Sequence, residues 1–194
     1  MSAKSDILAR LHSALADNPP APAVARAYRR VSTLTADETR DMFVDRLTDY
    51  KAAVYFADRV DDLPGVLAEL ISGPVVVPSG VDRAWLPPAE EVHDPLEASC
   101  VVTGSTVSCA ETGTIFLTGR DDEGCRKLTL IPDHHICLVF SGTIVELFPE
   151  AWERVGSSCG PITMISGPSA TSDIELERVE GVHGPRRLDV VVVR

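Results

Sequence analysis

Apolar residues recur at helical spacing over positions 4–16, where Ile7, Leu8, Leu11, Ala14 and Leu15 share one face. The pattern stops at DNPPAPA (17–23), because prolines remove backbone donors and fix φ. This predicts an N-terminal helix with a proline-rich linker over residues 1–22, followed by one domain over 23–194. Thr35 with Glu38 three positions on is a capping box, and it opens a second helix that runs to about Tyr50. An apolar run at 52–57 reads as a strand. DDLPGVLAELIS (61–72) reads as a helix in spite of its early proline, and PVVVPS (74–79) as a second strand. Short Val- and Ile-rich runs separated by helices predict an α/β sheet covered on both faces.

The middle of the chain loses that rhythm. Residues 99–119 hold strand-prone pieces broken by Gly104 and Gly113 with no helical period, which predicts a hairpin-like excursion within the sheet. LTLIPDHHICLVF follows, read as a proline-interrupted loop and a strand at 136–140. Thr143–Val155 reads as a helix with Val145, Leu147, Phe148 and Trp152 on its apolar face. Strands are expected at 162–166 and, closing the sequence, at 188–193.

Composition narrows the function classes. Across 194 residues the formal net charge is −11, and no basic run exceeds a short pair such as Arg29-Arg30 or Arg186-Arg187. Nucleic-acid binding, which needs a clustered Lys/Arg footprint, is disfavoured. No apolar stretch approaches a membrane span and the first residues lack a secretory h-region, so a cytoplasmic location is expected. The five cysteines (Cys100, Cys109, Cys125, Cys137, Cys159) are never closer than nine positions. That spacing fits neither a zinc ribbon nor an iron–sulfur run, so reduced structural thiols, no metal and no cofactor are expected in this chain. The G-x-S-x-G elbow, the P-loop and G-x-G-x-x-G are all missing, which disfavours three common chemistries.

Three stretches remain as candidate chemistry. SGPSATSDIE (166–175) combines a second capping box, Ser172 with Glu175, with Gly167, Pro168, Ser169 and Thr171, which capping does not explain. A hydroxyl-rich loop leaving a strand before a helix N-terminus could hold a phosphate or carboxylate, although Asp173 beside it would repel one. In AETGT (110–114), Glu111 stands beside a glycine turn, where a carboxylate can serve as base, nucleophile or acceptor, or simply as a solvated turn residue. His134 and His135 are adjacent and must point apart on a strand, while His183 lies between glycines ahead of Pro185. No metal-ligand spacing joins them.

AETGTIFL, LIPDHHICLVF, SGPSATSDIE and VEGVHGPRRLDVVVV, in this order, resemble the LUD-domain family, and within it the lactate-utilisation protein C subgroup. The resemblance covers roughly residues 99–194. It implies a NagB/RpiA/CoA-transferase-like fold, a three-layer α/β/α sandwich with a mostly parallel sheet and an antiparallel excursion. It further implies a part in oxidising L-lactate to pyruvate beside iron–sulfur subunits of a lactate-utilisation complex, with the clusters in those partners. Matched position by position, the motifs point to Glu111, His135 and His183 as catalytic candidates. Thr112, Gly113, Thr114, Gly167, Pro168, Ser169, Thr171, Asp173 and Gly184 become candidates for holding a small carboxylate or phosphate. Because fold does not fix function, a CoA-transferase-like or sugar-phosphate-processing enzyme using Glu111 stays open, as does a non-catalytic ligand-binding regulator.

Overall fold

The structure, a computed structural model, describes residues 2–16, 23–156, 160–168 and 184–194. Helix α1 (Ala3–Ala14) is capped by Ser2 and buries none of its residues. Helix α2 (Ala36–Asp49) starts in the expected capping box, with the Glu38 amide donating to the Thr35 hydroxyl and Glu38 Oε2 accepting from the Thr35 amide at 2.8 Å. Strand β1 (Ala53–Ala57), helix α3 (Leu63–Leu70) and strand β2 (Val75–Val76) follow. The remaining strands are β3 (Cys100–Thr103), β4 (Val107–Cys109), β5 (Thr114–Leu117), β6 (His134–Phe140), β7 (Ile144–Val145), β8 (Thr163–Ile165) and β9 (Arg187–Val193). Helix α4 (Arg126–Leu130) precedes β6, and α5 (Phe148–Val155) follows β7.

Five strands form a wholly parallel sheet in the order β1-β9-β6-β3-β2. Alternation divides its side chains cleanly. Ile136, Leu138, Val191 and Val193 face α3, meeting Leu63, Leu67 and Leu70. Cys137, Val139, Val190 and Val192 face the other way, onto Phe43 and Leu47 of α2 and Ile115 and Leu117 of β5. The near-continuous valines of β9 are the signature of a strand buried on both faces.

The α/β class and the mostly parallel sheet are therefore as expected, and the antiparallel excursion needs one correction. The β4–β5 hairpin does not insert into the parallel sheet. It builds a separate four-stranded sheet, ordered β7-β4-β5-β8, that packs beside α2 on one face of the parallel sheet. Its outer face is closed by Ala151 and Val155 of α5 against Val107, Cys109 and Phe116.

The helix expected over Thr143–Val155 is also shorter. Ile144 and Val145 pair with Ser108 and Cys109 as a strand, and the Leu147 amide is capped by Glu150 just ahead of Pro149. Phe148 and Trp152, expected to face the core, are 36% and 50% exposed, because the tight approach of α5 to the sheet admits the smaller Ala151 and Val155. Strand β6 begins two residues earlier than expected, at His134, and β2 shrinks to Val75–Val76. Among the described residues no helix is long and apolar enough to cross a membrane.

Candidate functional site

The turn between β4 and β5 carries Glu111. Gly113 sits at φ +60°, and a Cβ there would stand 2.7 Å from Cβ of Arg46, so the turn presses directly against α2. Thr112 and Thr114 share a hydroxyl hydrogen bond of 2.8 Å, and Thr114 makes another of 2.8 Å with Ser166 at the exit of β8. Gly167 follows at φ +80°, where a Cβ would fall 2.7 Å from the Tyr50 carbonyl oxygen. Two motifs some fifty residues apart therefore meet at the C-terminal end of α2, and the Thr114–Ser166 bond fastens them. Their glycines serve close packing against that helix. Pro168 follows in the same exit loop, while Ser169, Thr171, Asp173 and His183 lie outside the described residues.

Glu111 is half exposed, and Arg29 Nη2 lies 3.3 Å from its Oε1. The same guanidinium reaches Glu146 Oε1 at 3.0 Å. Glu146 is 3% exposed, and its Oε2 accepts from the Ser32 hydroxyl (2.7 Å) and from the amides of Thr33 (2.7 Å) and Leu34 (3.2 Å). The Ser32 hydroxyl above all holds this carboxyl below its usual value. Burial pushes the other way, and the two amides and Arg29 add to the lowering. The Glu111 amide also donates to the Glu146 carbonyl at 3.0 Å, so the segment from Arg29 to Leu34 and the turn form one unit. Sequence reading missed Arg29 and Glu146; the available signal was a lone acid inside the apolar run TIVELF.

The two adjacent histidines point to opposite faces of the parallel sheet, as expected. His135 is 1% exposed, with Nε2 2.8 Å from the Thr103 hydroxyl. Burial, with His134 adding to it, lowers its pKa to about 4, so the ring is neutral. No hydrogen bond or ion pair joins it to the Glu111 turn among the described residues, and solvent does not reach it. His134 Nε2 stands 3.0 Å from Asp189 Oδ2, without the alignment of a hydrogen bond. Burial would raise the Asp189 carboxyl, but His134 and a bidentate Arg187 (3.0 and 2.6 Å) outweigh it and hold it low. Gly184 lies against Leu130 of α4, where a Cβ would make only ordinary contact at 3.6 Å.

The described thiols do not gather. Cys100 belongs to the core under α3, Cys137 to the opposite face, Cys109 to the layer under α5, and Cys125 is exposed. Burial pushes Cys137 up to about 12, which keeps it protonated. These four cannot ligate one cluster, and Cys159 lies outside the described residues.

A family model described as the LUD domain matches residues 93–193. A Deinococcus radiodurans protein named lactate utilization protein C is 42% identical, over 98% of this chain and 95% of that one. Proteins of the same name from Macrococcus caseolyticus and Bacillus subtilis are 34% and 32% identical over 54% of this chain, and the match spans less than half of their length, 48% and 46%. The crystal structure of a DUF162 family protein from Deinococcus radiodurans superposes with a TM-score of 0.72 at 37% identity, covering 83% of this chain and 99% of that one.

Proposed function

This chain belongs to the LUD-domain family, and on that premise we propose that it serves lactate utilisation as a subunit of a system oxidising L-lactate to pyruvate. The observation that carries this reading is the 42% identity, sustained over nearly the whole of both chains, to a protein named lactate utilization protein C.

In this reading the redox groups are iron–sulfur clusters of partner subunits, since the four described thiols of this chain fall in different layers. The chain contributes a shaped site for a small acid and a surface for assembly, in the cytoplasm. Glu111 is a motif carboxylate half open to solvent, paired with Arg29, on the turn whose Thr112 and Thr114 hydroxyls bond to one another and, through Thr114, to Ser166. Such a group can accept a proton or a hydroxyl hydrogen bond from a ligand or partner chain. His135, enclosed and neutral, acts as a core residue that ties β6 to β3 through Thr103. Ser169, Thr171, Asp173 and His183, matched only through the motifs, lie outside the described residues.

Reconstitution tests the subunit role. The purified chain alone should reduce no dye in the presence of L-lactate. Combined with its two iron–sulfur partners it should support lactate-dependent reduction, and omitting it should abolish that reduction. Normal turnover by the partners without this chain would overturn the reading.

A further inference from the structure

The loop after β5 plays no part in that reading, yet it is fastened more tightly than its surface position requires. Its residues Asp121 and Asp122 dock onto the carboxyl ends of β2 and β3, where the Gly80 and Gly104 amides donate to their carbonyls at 2.8 Å each. Gly80 is sterically required, and Gly104 lets the Asp122 side chain lie close. A Cβ on Gly80 would lie 2.5 Å from the Asp121–Asp122 peptide, and one on Gly104 would run into the Asp122 carboxylate. Glu123 pins the loop from inside. Fully buried, it accepts from the Thr106 hydroxyl and from the amides of Thr118 (2.6 Å) and Arg120 (3.0 Å), so its charge is met by local donors. Loops held rigidly at the carboxyl ends of parallel strands are where α/β sheets place ligands.

This loop walls a cavity of about 500 Å³, lined among others by Leu117, Asp121, Glu123, Cys125, Arg126 and Thr163, the Glu123 carboxylate being already met by Thr106, Thr118 and Arg120. Its charges differ from those at Glu111. There the single guanidinium of Arg29 is shared by two carboxylates, which leaves none for an incoming acid. Arg120 is likewise taken, by Asp122 at 3.2 Å. Arg126, by contrast, donates to the Thr163 hydroxyl at 3.0 Å and makes no ion pair among the described residues. A guanidinium without a carboxylate, in a chain of net charge −11, is a counter-charge in search of an anion. Asp121 on the same lining is an acceptor suited to a hydroxyl.

We propose that this cavity, and not the Glu111 turn, receives the small acid: a 2-hydroxy carboxylate whose carboxylate meets Arg126 and whose hydroxyl donates to Asp121. The assignment rests on the lactate reading for the class of acid and on the cavity for the site. The two ends of β5 separate them, Thr114 at one and Leu117 at the other, about 10 Å apart at strand rise.

Cys125 supplies a native reporter, because it is exposed and lines the cavity while Cys100, Cys109 and Cys137 are buried. The test follows alkylation of the Cys125 peptide by mass spectrometry on the full chain, with L-lactate, pyruvate or inorganic phosphate at matched ionic strength. L-Lactate should slow labelling, with pyruvate, which lacks the hydroxyl donor, weaker. Arg126→Gln should raise the lactate concentration needed by about tenfold or more, the loss expected for a charge-assisted hydrogen bond. Arg126→Lys should restore part of it, and Asp121→Asn should bring lactate and pyruvate closer together. A merely structural Arg126, tying α4 to β8, would change unfolding temperature without moving protection by lactate. Absence of protection by lactate, or equal protection by phosphate, overturns the site. If reconstituted turnover still requires the chain in that case, the subunit role stands and only the cavity assignment falls.

Discussion

A buried carboxylate survives ionised only where donors replace the water it has lost, and Glu146 shows how few residues suffice. One hydroxyl, two amides and one guanidinium do so, all from the stretch Arg29–Leu34. Its carboxyl is held below the ordinary value of 4.5, so its stabilising effect is fully present above that pH and is lost as pH falls through the lowered folded value. Glu146→Gln should therefore destabilise the chain at neutral pH by about 1–3 kcal/mol, the cost of turning charge-assisted hydrogen bonds into neutral ones and losing the Arg29 ion pair. Urea midpoints of wild type and variant, measured against pH, should converge as the solution falls below about pH 4.5. Curves that stay parallel into acid would show that Glu146 is not ionised in the fold. At this scale the sequence disclosed that His134 and His135 diverge, which strand geometry requires. It could not disclose that Thr103, thirty-two positions earlier, would occupy the His135 ring.

Among the elements, the two glycine-bearing motif loops illustrate how tertiary contact assigns a role to a residue. Gly113 and Gly167 both adopt positive φ and both press on the end of α2, so either is needed for packing whatever a ligand demands. Gly167→Ala should cost more than about 1 kcal/mol, since a strained φ and contact with the Tyr50 backbone act together. Gly184→Ala, whose new methyl group meets only Leu130 at 3.6 Å, should change unfolding temperature little. Thermal unfolding of the pair provides the comparison, and equal effects would contradict the packing explanation. The capping box of α2 was legible because its two residues lie three apart and need nothing else. The start of α5 was not: Ile144 and Val145 also suit a helix face, and pairing with β4 takes them into the second sheet.

For the whole molecule, the layers explain which parts are dispensable. Every core cluster is built from residues beyond Thr39, and α1 contributes nothing to any of them. Ile7, Leu11 and Leu15 of the amphipathic stripe remain exposed, at 59%, 51% and 57%. Deleting residues 2–16 should thus leave stability in urea within about 0.5 kcal/mol of the full chain. A larger fall would mean that the helix covers part of the domain in solution.

By itself the sequence determined what is local: the helices and strands whose periodicity lies within one segment, the Thr35 cap, the doubly buried β9, and the family, through four ordered motifs. Tertiary structure alone decided which sheet each strand joined, that Gly113 and Gly167 would meet at the end of α2, that Arg29 and Glu146 would hold the turn, and that residues 117–129 would wall a cavity. The physical reason is sequence separation. Periodicity and capping act over three or four residues, whereas strand pairing and charge pairing here join groups up to 136 positions apart, a distance over which only the folded chain sets the partners.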